Sequence, residues 1–598
     1  MTARAQPKPG FGPPATYTAA APKGPSGPTA PHDHLKVAAL VALAVAAFGL
    51  VAHAVIARNP LGQPHPASFN VFFRLYALHE AAPLWLLALT AGLTWVVARW
   101  MPGDKAPAWA IKTMGRAARV PTWAVGLAVL TVTLLGGVLI LHGLGLAMDE
   151  FAASFQAKIF ASGRLQAEVP QEWRGLAPWM TPVFVNYKPA AGVWVASYLP
   201  VYSAIRAVFA LAGVERLTNP VLAALTVALV IAIARRMSRP DQGPRPAVFA
   251  MLFLVLSTQF LVTSMGAYSM PAHLCLNLLW LWLYLRNDAA SLAAAPLVGV
   301  LAMGLHNPVP HALFVAPFLV RMVRDRRYVW IAYFAAVYGA GAYGWYQWLQ
   351  FVQTDVDGSM AVIGAGTVGS GGLGGGVFNT FAFPTPFRLF VQGMSVALLL
   401  TWQTPAVAIF LAIALLGWKR LGTTERDLAA GLVATFAFYT FFNADQGHGW
   451  GYRYMHPVLG NAVLLAAVGA VQAWRGGREA LVTRLVIASA LFTVALQFPL
   501  RTMQIERFVR PVAATVDYIA GLDAEIVTVN AGVAWYARDF VRNDPFLATR
   551  PKLVGLHYVN GRWPHVRDVP RSARDKTLQL TARELDALGV PVFAPPQP

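Results

Sequence analysis

The sequence predicts a mainly α-helical, polytopic membrane protein, and three observations support that fold class. The chain has 598 residues, of which 57% are hydrophobic and only 12% are charged. Soluble domains carry roughly 25% charged residues, so the composition excludes an ordinary soluble enzyme, a disordered protein and a coiled coil. Apolar runs long enough to cross a bilayer recur along the chain. The net charge of +20 is typical of cytoplasmic loops that face acidic lipids.

Thirteen membrane crossings are predicted, because a spanning helix needs about 20 apolar residues. In order, these runs are 36–57, 80–99, 122–147, 219–235, 246–265, 270–286, 290–305, 309–322, 328–350, 404–418, 425–442, 456–474 and 483–500. Clusters of arginine and lysine follow the second, fourth, eighth, tenth and twelfth runs. An inside N-terminus places every cluster in the cytoplasm, and the odd number of crossings places the C-terminus outside.

This pattern divides the chain into four parts. Residues 1–34 contain eight prolines and are predicted to form a disordered cytoplasmic tail. Residues 35–120 hold two additional transmembrane helices, and residues 121–500 form the transmembrane core. Residues 501–598 are predicted to form a small exocytoplasmic α/β domain. Its predicted elements are a helix at 511–522, a strand at 525–530, a helix at 532–541, a strand at 552–558 and a short helix near 581–588.

Two long outer loops interrupt the core, at 148–218 and 351–403. Each loop contains one apolar segment, 197–213 in the first and 386–402 in the second. Counting either segment as a crossing would move the basic clusters that follow it to the outer side of the membrane. We therefore expect both segments to be interfacial or re-entrant helices. The glycine-rich stretch 358–376 lacks the ending of a phosphate-binding loop and is predicted to be a flexible outer loop.

Two adjacent carboxylates stand where the third predicted span meets the outer face. Asp149 and Glu150 follow the apolar run 122–147. Ionisable groups at the edge of a membrane are costly and usually functional. The alternative is a pair of solvated acids at a helix end.

The residues after this acidic pair resemble a known family. Gln156, Lys158 and Gly163 follow, and Lys188-Pro189 and the segment 197–202, which reads Ser-Tyr-Leu-Pro-Val-Tyr, lie further on. The pattern resembles the lipid-phosphate-sugar glycosyltransferases of the GT-C fold, the protein O-mannosyltransferase-like group, over roughly residues 122–475. The resemblance implies a helical membrane bundle of GT-C type with an outer active site.

The resemblance also implies roles for individual residues. Asp149 would be the catalytic base, and Glu150 would orient the acceptor or hold a metal. Arg453 and Tyr454 resemble the family's "RY…P" segment, and an arginine beside aromatic residues suits a lipid phosphate. The alternative for Arg453 is an interfacial anchor. The further candidates for substrate binding are Gln156, Lys158, Lys188, Tyr202, His306 and His448.

A metal site is left open by this pattern. Histidines recur at predicted outer helix ends, among them His273, His306 and His448. Together with Glu150, His273 could hold a divalent metal ion, although the spacing carries no metal signature. At His306-Asn307-Pro308 the sequence departs from the family pattern. The single cysteine, Cys275, excludes an intrachain disulfide and a cysteine-based metal site.

The predicted function is sugar transfer from a polyprenyl-phosphate donor to an acceptor glycan, lipid or protein, with inversion. The predicted location is the plasma membrane of a bacterium, with the active site on the periplasmic side of the cell envelope. Membrane lipids are expected partners and nucleic acid is not, because no basic helix stands outside the apolar runs. Two alternatives are a ligase or polymerase that uses a diphosphate-linked oligosaccharide, and a transporter or flippase of lipid-linked saccharides.

Overall fold

The computed structural model describes residues 31–58, 71–85, 103, 105–356, 382–442, 446–534, 536–559, 563–565 and 568–592. Most of the predicted cytoplasmic tail, the greater part of the predicted span 80–99 and the glycine-rich stretch 358–376 lie outside these residues.

Helices make up most of the described chain. Those before residue 270 are α1 (Pro31–Arg58), α2 (Val71–His79), α3 (Ala108–Ala117), α4 (Thr122–Leu139), α5 (Met148–Ala161), α6 (Ala177–Met180), α7 (Val201–Leu211), α8 (Thr218–Met237), α9 (Arg245–Val255) and α10 (Thr258–Met265). Those after it are α11 (Met270–Arg286), α12 (Ala289–Met303), α13 (Val309–Arg324), α14 (Tyr328–Gln353), α15 (Pro386–Trp402), α16 (Pro405–Leu416), α17 (Thr423–Phe441), α18 (Leu459–Arg475), α19 (Glu479–Phe492), α20 (Phe498–Ala520) and α21 (Ala582–Ala587).

The mainly helical class is confirmed within the described residues, and several of their helices are candidates for membrane spans. Four helical stretches are long and apolar enough to cross a bilayer: Thr122–Leu139, Glu215–Met237, Arg453–Arg475 and Glu479–Ala520. Two bent pairs raise the number to six if each pair is one span. The pair α9 and α10 bends by 53°, and the pair α15 and α16 bends by 116°. The number of thirteen crossings and the orientation stay predictions.

The predicted span 122–147 was too long. Helix α4 ends at Leu139. His142 and Gly143 then take left-handed backbone angles, with φ values of 52° and 66°, which a continuing helix does not allow. Helix α5 then begins at Met148. Asp149 and Glu150 therefore stand in the first turn of a new helix, not at the end of the preceding one.

A second boundary prediction was also wrong. The predicted span 483–500 and the predicted tail helix 511–522 belong to one helical stretch, Glu479–Ala520, of 42 residues. A π-helical turn at Thr493–Gln497 joins α19 to α20 without a break. Such turns insert one residue into a helix and shift its faces. The stretch carries the chain directly into its C-terminal domain.

The described residues also form two small sheets. Strands β1 (Ala167–Glu168), β2 (Val185–Lys188) and β3 (Val193–Ala196) form an antiparallel sheet in the order β1-β3-β2. Strands β4 (Ile526–Asn530), β5 (Lys552–Leu556) and β6 (Thr577–Leu580) form a parallel sheet in the order β5-β4-β6. The sequence did not predict the first sheet or β6. The predicted helix 532–541 was wrong, because Tyr536 is left-handed and only a short turn, Ala537–Phe540, follows it.

The C-terminal domain packs on the first outer loop. The Trp194 indole donates to the carbonyl of Pro545 at 2.7 Å, and the Trp179 indole donates to the carbonyl of His557 at 3.0 Å. Both tryptophans are buried in a hydrophobic cluster that contains residues of both segments, such as Ile526 and Val554. The loop and the domain therefore share one core and lie on the same side of the molecule.

Candidate active site

Helix α5 places Asp149 at the centre of the candidate site. The residue before the helix, Ala147, has no side-chain acceptor for the free backbone N–H groups of the first turn. Glu150 reaches back instead and accepts a hydrogen bond from the Ala147 N–H at 3.0 Å. Carboxylates are favourable at this end of a helix because the helix dipole is positive there. Asp149 is thus fixed on the first turn of α5.

Two groups hold the Asp149 carboxylate. The Arg453 guanidinium donates to Oδ2 at 2.7 Å. The Tyr198 hydroxyl donates to Oδ1. The side chains of Asp149 and Arg453 are only 16% and 10% exposed, so the ion pair is largely shielded from water. Shielded charge-assisted hydrogen bonds of this kind are stronger than exposed ones.

The short segment before α18 orients Arg453. Its backbone N–H donates to the Gln446 side chain at 2.8 Å, and its guanidinium also donates to the carbonyl of His448. The guanidinium lies 5.1 Å from the centre of the Tyr268 ring. Gly451 is left-handed, and a Cβ there would approach the side chain of Gln259 to 2.8 Å. A glycine is therefore required for the tight turn that carries Arg453.

A pocket opens beside the ion pair. The ring of His306 packs against Tyr198 with a centroid distance of 4.2 Å. The residues that line the pocket include Asp149, Tyr198, Tyr202, Tyr268, Ser269 and His306. The pocket joins a carboxylate, hydroxyl groups and an imidazole on walls that are otherwise apolar and aromatic. The lining thus combines hydrogen-bonding groups with apolar walls next to Asp149.

The environment keeps Asp149 ionised. Burial opposes ionisation, but the positive charge of Arg453 and the hydrogen bonds from Tyr198 and Arg453 outweigh it, so the pKa of Asp149 lies below its ordinary value. Burial and the adjacent Asp149 charge raise the pKa of the Tyr198 hydroxyl, which therefore stays protonated. Burial lowers the pKa of His306 to about 4, so its ring is neutral at neutral pH.

Glu150 points away from the pocket although it is adjacent to Asp149. Besides the Ala147 N–H, its carboxylate accepts the N–H of Ala267 at 2.6 Å. Gly266 makes this contact feasible, because a Cβ there would lie 2.5 Å from the Glu150 Oε1. Burial raises the pKa of Glu150, and these two backbone hydrogen bonds oppose the rise. Glu150 thus connects the start of α5 to the segment that carries Tyr268.

Two further predicted residues lie at the edge of the site. Tyr202 lines the pocket, and its hydroxyl lies 2.8 Å from the Ala267 carbonyl and 3.0 Å from the Asn219 side chain. The Gln156 amide donates to the carbonyl of Leu165 and accepts from the N–H of Ala196. Gln156 therefore braces the outer loop rather than the Asp149 carboxylate.

Other predicted residues are brought near the site through their neighbours. The His448 carbonyl accepts from Arg453, whereas its ring lies against Tyr536 and 3.7 Å from the carboxylate of Asp539. Tyr454 stacks on Tyr439 with a centroid distance of 4.3 Å. These contacts fix the segment around Arg453 against α17 and the C-terminal domain.

Lys158 and Lys188 are not brought to the pocket. Lys158 is exposed on α5. Lys188 lies on β2, where its ammonium group donates to the carbonyl of Phe351 and lies 4.4 Å from the centre of that ring. Both lie outside the set of residues that lines the pocket.

Glu150 and His273, the two predicted metal ligands, are not part of a larger group of possible ligands in the described part of the chain. Among those residues there is no group of three or more histidine, cysteine, aspartate or glutamate side chains that could hold a metal ion. His273 is buried on α11, and neither ring nitrogen has a hydrogen-bond partner within the described residues.

Two residues that contact the ion pair, Tyr198 and Tyr268, were not among the predicted site residues. Both are buried tyrosines on irregular segments. Their sequence context is that of interfacial tyrosines, which are common at membrane surfaces. The Ser-Tyr-Leu-Pro segment that contains Tyr198 is the one local signal that points to the first of them.

Comparisons with known proteins identify no family for this chain. No protein-family model matches it, and no curated protein matches it. Two solved structures with some likeness are ArnT from Cupriavidus metallidurans bound to undecaprenyl phosphate and the same protein in the apo state. The first is 14% identical, covers 73% of this chain and 86% of its own, and has a TM-score of 0.49. The second is 13% identical, covers 76% of this chain and 88% of its own, and has a TM-score of 0.48. Because both TM-scores lie below 0.5, neither likeness assigns a fold or an activity to this chain.

Proposed function

We propose that the protein is an integral-membrane glycosyltransferase of GT-C type. It moves one sugar from a polyprenyl-phosphate donor to an acceptor hydroxyl or amine at the outer face of a bacterial plasma membrane. The observation that carries this proposal is the pairing of Asp149 with Arg453 at 2.7 Å beside an aromatic pocket, at the end of apolar helices. A cation next to an apolar surface suits an amphipathic phosphate ligand, and a nearby carboxylate can take the proton of an acceptor hydroxyl or amine.

Asp149 acts as the general base. Its carboxylate takes the proton of the acceptor as the acceptor oxygen, or nitrogen, bonds to the anomeric carbon. The bond from that carbon to the phosphate oxygen breaks, and its electron pair leaves with the lipid phosphate. A single displacement inverts the anomeric centre and requires no covalent enzyme intermediate. A positioned base of this type contributes typically 10²–10⁴-fold to the rate.

Arg453 binds the donor phosphate. A guanidinium offers parallel N–H groups that match phosphate oxygens. The ring of Tyr268 attracts the guanidinium and so helps to hold it in place, while the ring itself provides an apolar surface. The same charge stabilises the lipid phosphate as it leaves, which is the step where negative charge grows.

Glu150 positions the base. Its carboxylate is hydrogen-bonded to the backbone of Ala147 and of Ala267, which favours this role over direct contact with the acceptor or a metal. Tyr198 orients the Asp149 carboxylate through its hydroxyl. Tyr202 and His306 contribute pocket walls on which the sugar rests.

Sugar transfer by the purified protein in lipid vesicles tests the proposal. The donors are polyprenyl phosphates that carry a radiolabelled hexose or pentose, and the acceptor is an extract of cell envelope. Transfer of the label together with release of polyprenyl phosphate supports the proposal. Activity only with a diphosphate-linked oligosaccharide would identify a ligase or polymerase instead. Movement of the intact donor across the vesicle, without bond cleavage, would identify a transporter.

A further inference from the structure

The two groups that would handle the substrates are bound to each other in this structure. Oδ2 of Asp149 accepts from Arg453, and Oδ1 accepts from Tyr198. The Arg453 guanidinium donates hydrogen bonds to both Asp149 and the His448 carbonyl. The proposed base thus has a hydrogen bond on each oxygen, and the proposed phosphate ligand is neutralised by an internal anion.

We propose that this ion pair is a resting-state lock that the donor phosphate opens. The inference rests on the proposed function and adds an order of binding to it. The phosphate takes over the Arg453 N–H groups that now reach Asp149. Asp149, still held by Tyr198, is then released toward the acceptor. Donor binding therefore precedes and activates the base.

Electrostatics give the direction of this coupling. A carboxylate beside a guanidinium is a weak base, because the positive charge favours its ionised form. A phosphate in contact with Arg453 offsets that positive charge and adds a negative one near Asp149. Both changes increase the proton affinity of the carboxylate, which brings it closer to what a general base needs. The base is then weak before the donor arrives and stronger afterwards.

The coupling must be reciprocal. If the phosphate weakens the hold of Arg453 on the ionised Asp149, then the ionised Asp149 weakens the binding of the phosphate by the same factor. A neutral residue at position 149 removes that competition and leaves Arg453 without an internal anion. The lock therefore predicts that a variant which loses the base binds the lipid phosphate more tightly than the wild type.

Binding of a short-chain polyprenyl phosphate to the purified full-length protein tests the lock. We expect Asp149→Asn to bind it about 5- to 150-fold more tightly than wild type, which is the range typical of coupling between two sites. Arg453→Ala should lose most of the binding, and Arg453→Lys should retain more of it. The matched control is Glu172→Gln, which removes one carboxylate from an exposed position on the same outer loop. Its affinity should equal that of the wild type.

Thermal unfolding of the same proteins gives a second measurement. Polyprenyl phosphate should raise the unfolding midpoint of Asp149→Asn more than that of the wild type, because a tighter ligand stabilises more. Asp149→Ser should behave in the same way, which guards against a folding defect specific to the asparagine.

The outcomes separate the lock from the proposed function. Equal or weaker binding of polyprenyl phosphate by both Asp149 variants, with binding still lost in Arg453→Ala, would overturn the lock and leave the proposed function intact. Equal binding of polyprenyl phosphate and of polyprenol without phosphate, with no effect of Arg453→Ala, would overturn both. Binding of inorganic phosphate as tight as that of the lipid would contradict a lipid-linked donor, and with it the lock.

Discussion

At the scale of the residue, two adjacent carboxylates occupy opposite environments. Asp149 faces a guanidinium, a hydroxyl and a pocket, and its pKa is lowered. Glu150 is turned into the backbone, and burial raises its pKa. When environments separate the pKa values of neighbouring acids, they commonly separate their roles as well. Asp149 is assigned the acceptor proton because it lines the pocket, and Glu150 is assigned the positioning role because its carboxylate is bound to backbone N–H groups.

The lowered pKa of Asp149 gives the first prediction, on stability against pH. A depressed folded pKa contributes stability that is present above the ordinary value of about 3.9 and is lost as the pH falls through the folded value. Asp149→Asn should be less stable than the wild type at neutral pH, because it leaves the charge of Arg453 without its partner. The difference in unfolding midpoint should stay constant from pH 7 to pH 5 and shrink only below about pH 4.

Thermal unfolding in one detergent across this pH series measures the difference directly. Subtracting the variant from the wild type removes the titration of every other group that both proteins share. A difference that already closes between pH 7 and pH 5.5 would show that the pKa of Asp149 is not lowered.

The sequence named both members of the ion pair but not their contact. Asp149 and Arg453 are 304 residues apart. Each was singled out because a charged residue at an outer helix end opposes the ordinary rules of membrane sequences. Only the packing of α5 against the segment before α18 brings them to 2.7 Å. Lys158 and Lys188 satisfied the same sequence criterion and lie elsewhere, so the criterion is not sufficient.

At the scale of the element, the turn between α4 and α5 positions the base. Arg542 of the C-terminal domain donates to the carbonyls of Gly145 and Leu146, at 2.7 and 2.8 Å. Its guanidinium also lies 5.6 Å from the ring centre of Phe151, on α5. The domain therefore holds the last residues before the helix that carries Asp149.

This contact gives the second prediction. Arg542→Ala should lower the transfer rate by about 10- to 100-fold, since a small displacement of a catalytic group has effects of this size. Polyprenyl-phosphate affinity should change little, because Arg453 is held by other residues. Arg542→Lys should recover part of the rate. Initial rates and donor affinity, measured together, distinguish positioning from loss of the donor site.

The matched control for Arg542 is Arg550→Ala in the same domain. The Arg550 side chain is 71% exposed and pairs with Glu525 at 3.1 Å. Exposed pairs of this kind are worth little, so the rate should not change. Equal losses of rate in Arg542→Ala and Arg550→Ala would indicate general damage to the domain and would contradict a role for Arg542 in positioning.

Element boundaries were the weakest part of the sequence prediction, for identifiable reasons. Apolar composition continues through residues 140–147, so hydropathy gave no sign that α4 ends at Leu139. The break between α4 and α5 contains left-handed angles at His142 and Gly143, which hydropathy does not reveal. Strand β6 was missed because three of its four residues are exposed and its pairing with β4 is a long-range contact. Strands β4 and β5, with buried β-branched residues, were predicted closely.

At the scale of the whole molecule, the C-terminal domain and the first outer loop lie on one side. They share a hydrophobic cluster, and three hydrogen bonds from Trp179, Trp194 and Asn543 join them. Asp149 stands in the first turn of α5, the helix with which this loop begins. The candidate site therefore lies on the same side of the membrane as the C-terminal domain.

This arrangement gives the third prediction, on topology. Reporter fusions at residues 30 and 590 should report opposite sides, with the first in the cytoplasm and the second outside. The basis is the position of the basic clusters after alternate spans. A third reporter, in the exposed turn at Ser162-Gly163, should agree with the one at residue 590. Both termini on one side would make the number of crossings even and would contradict the predicted thirteen.

The central claim is that Asp149 is the general base of sugar transfer, and the initial rate of transfer by Asp149→Asn tests it most directly. Asparagine keeps the shape of the side chain and can accept from Tyr198 but cannot take the acceptor proton. The account predicts a rate lowered by about 10²–10⁴-fold, with wild-type rate in Glu172→Gln and polyprenyl-phosphate binding at least as tight as in the wild type. A wild-type rate in Asp149→Asn would contradict the account.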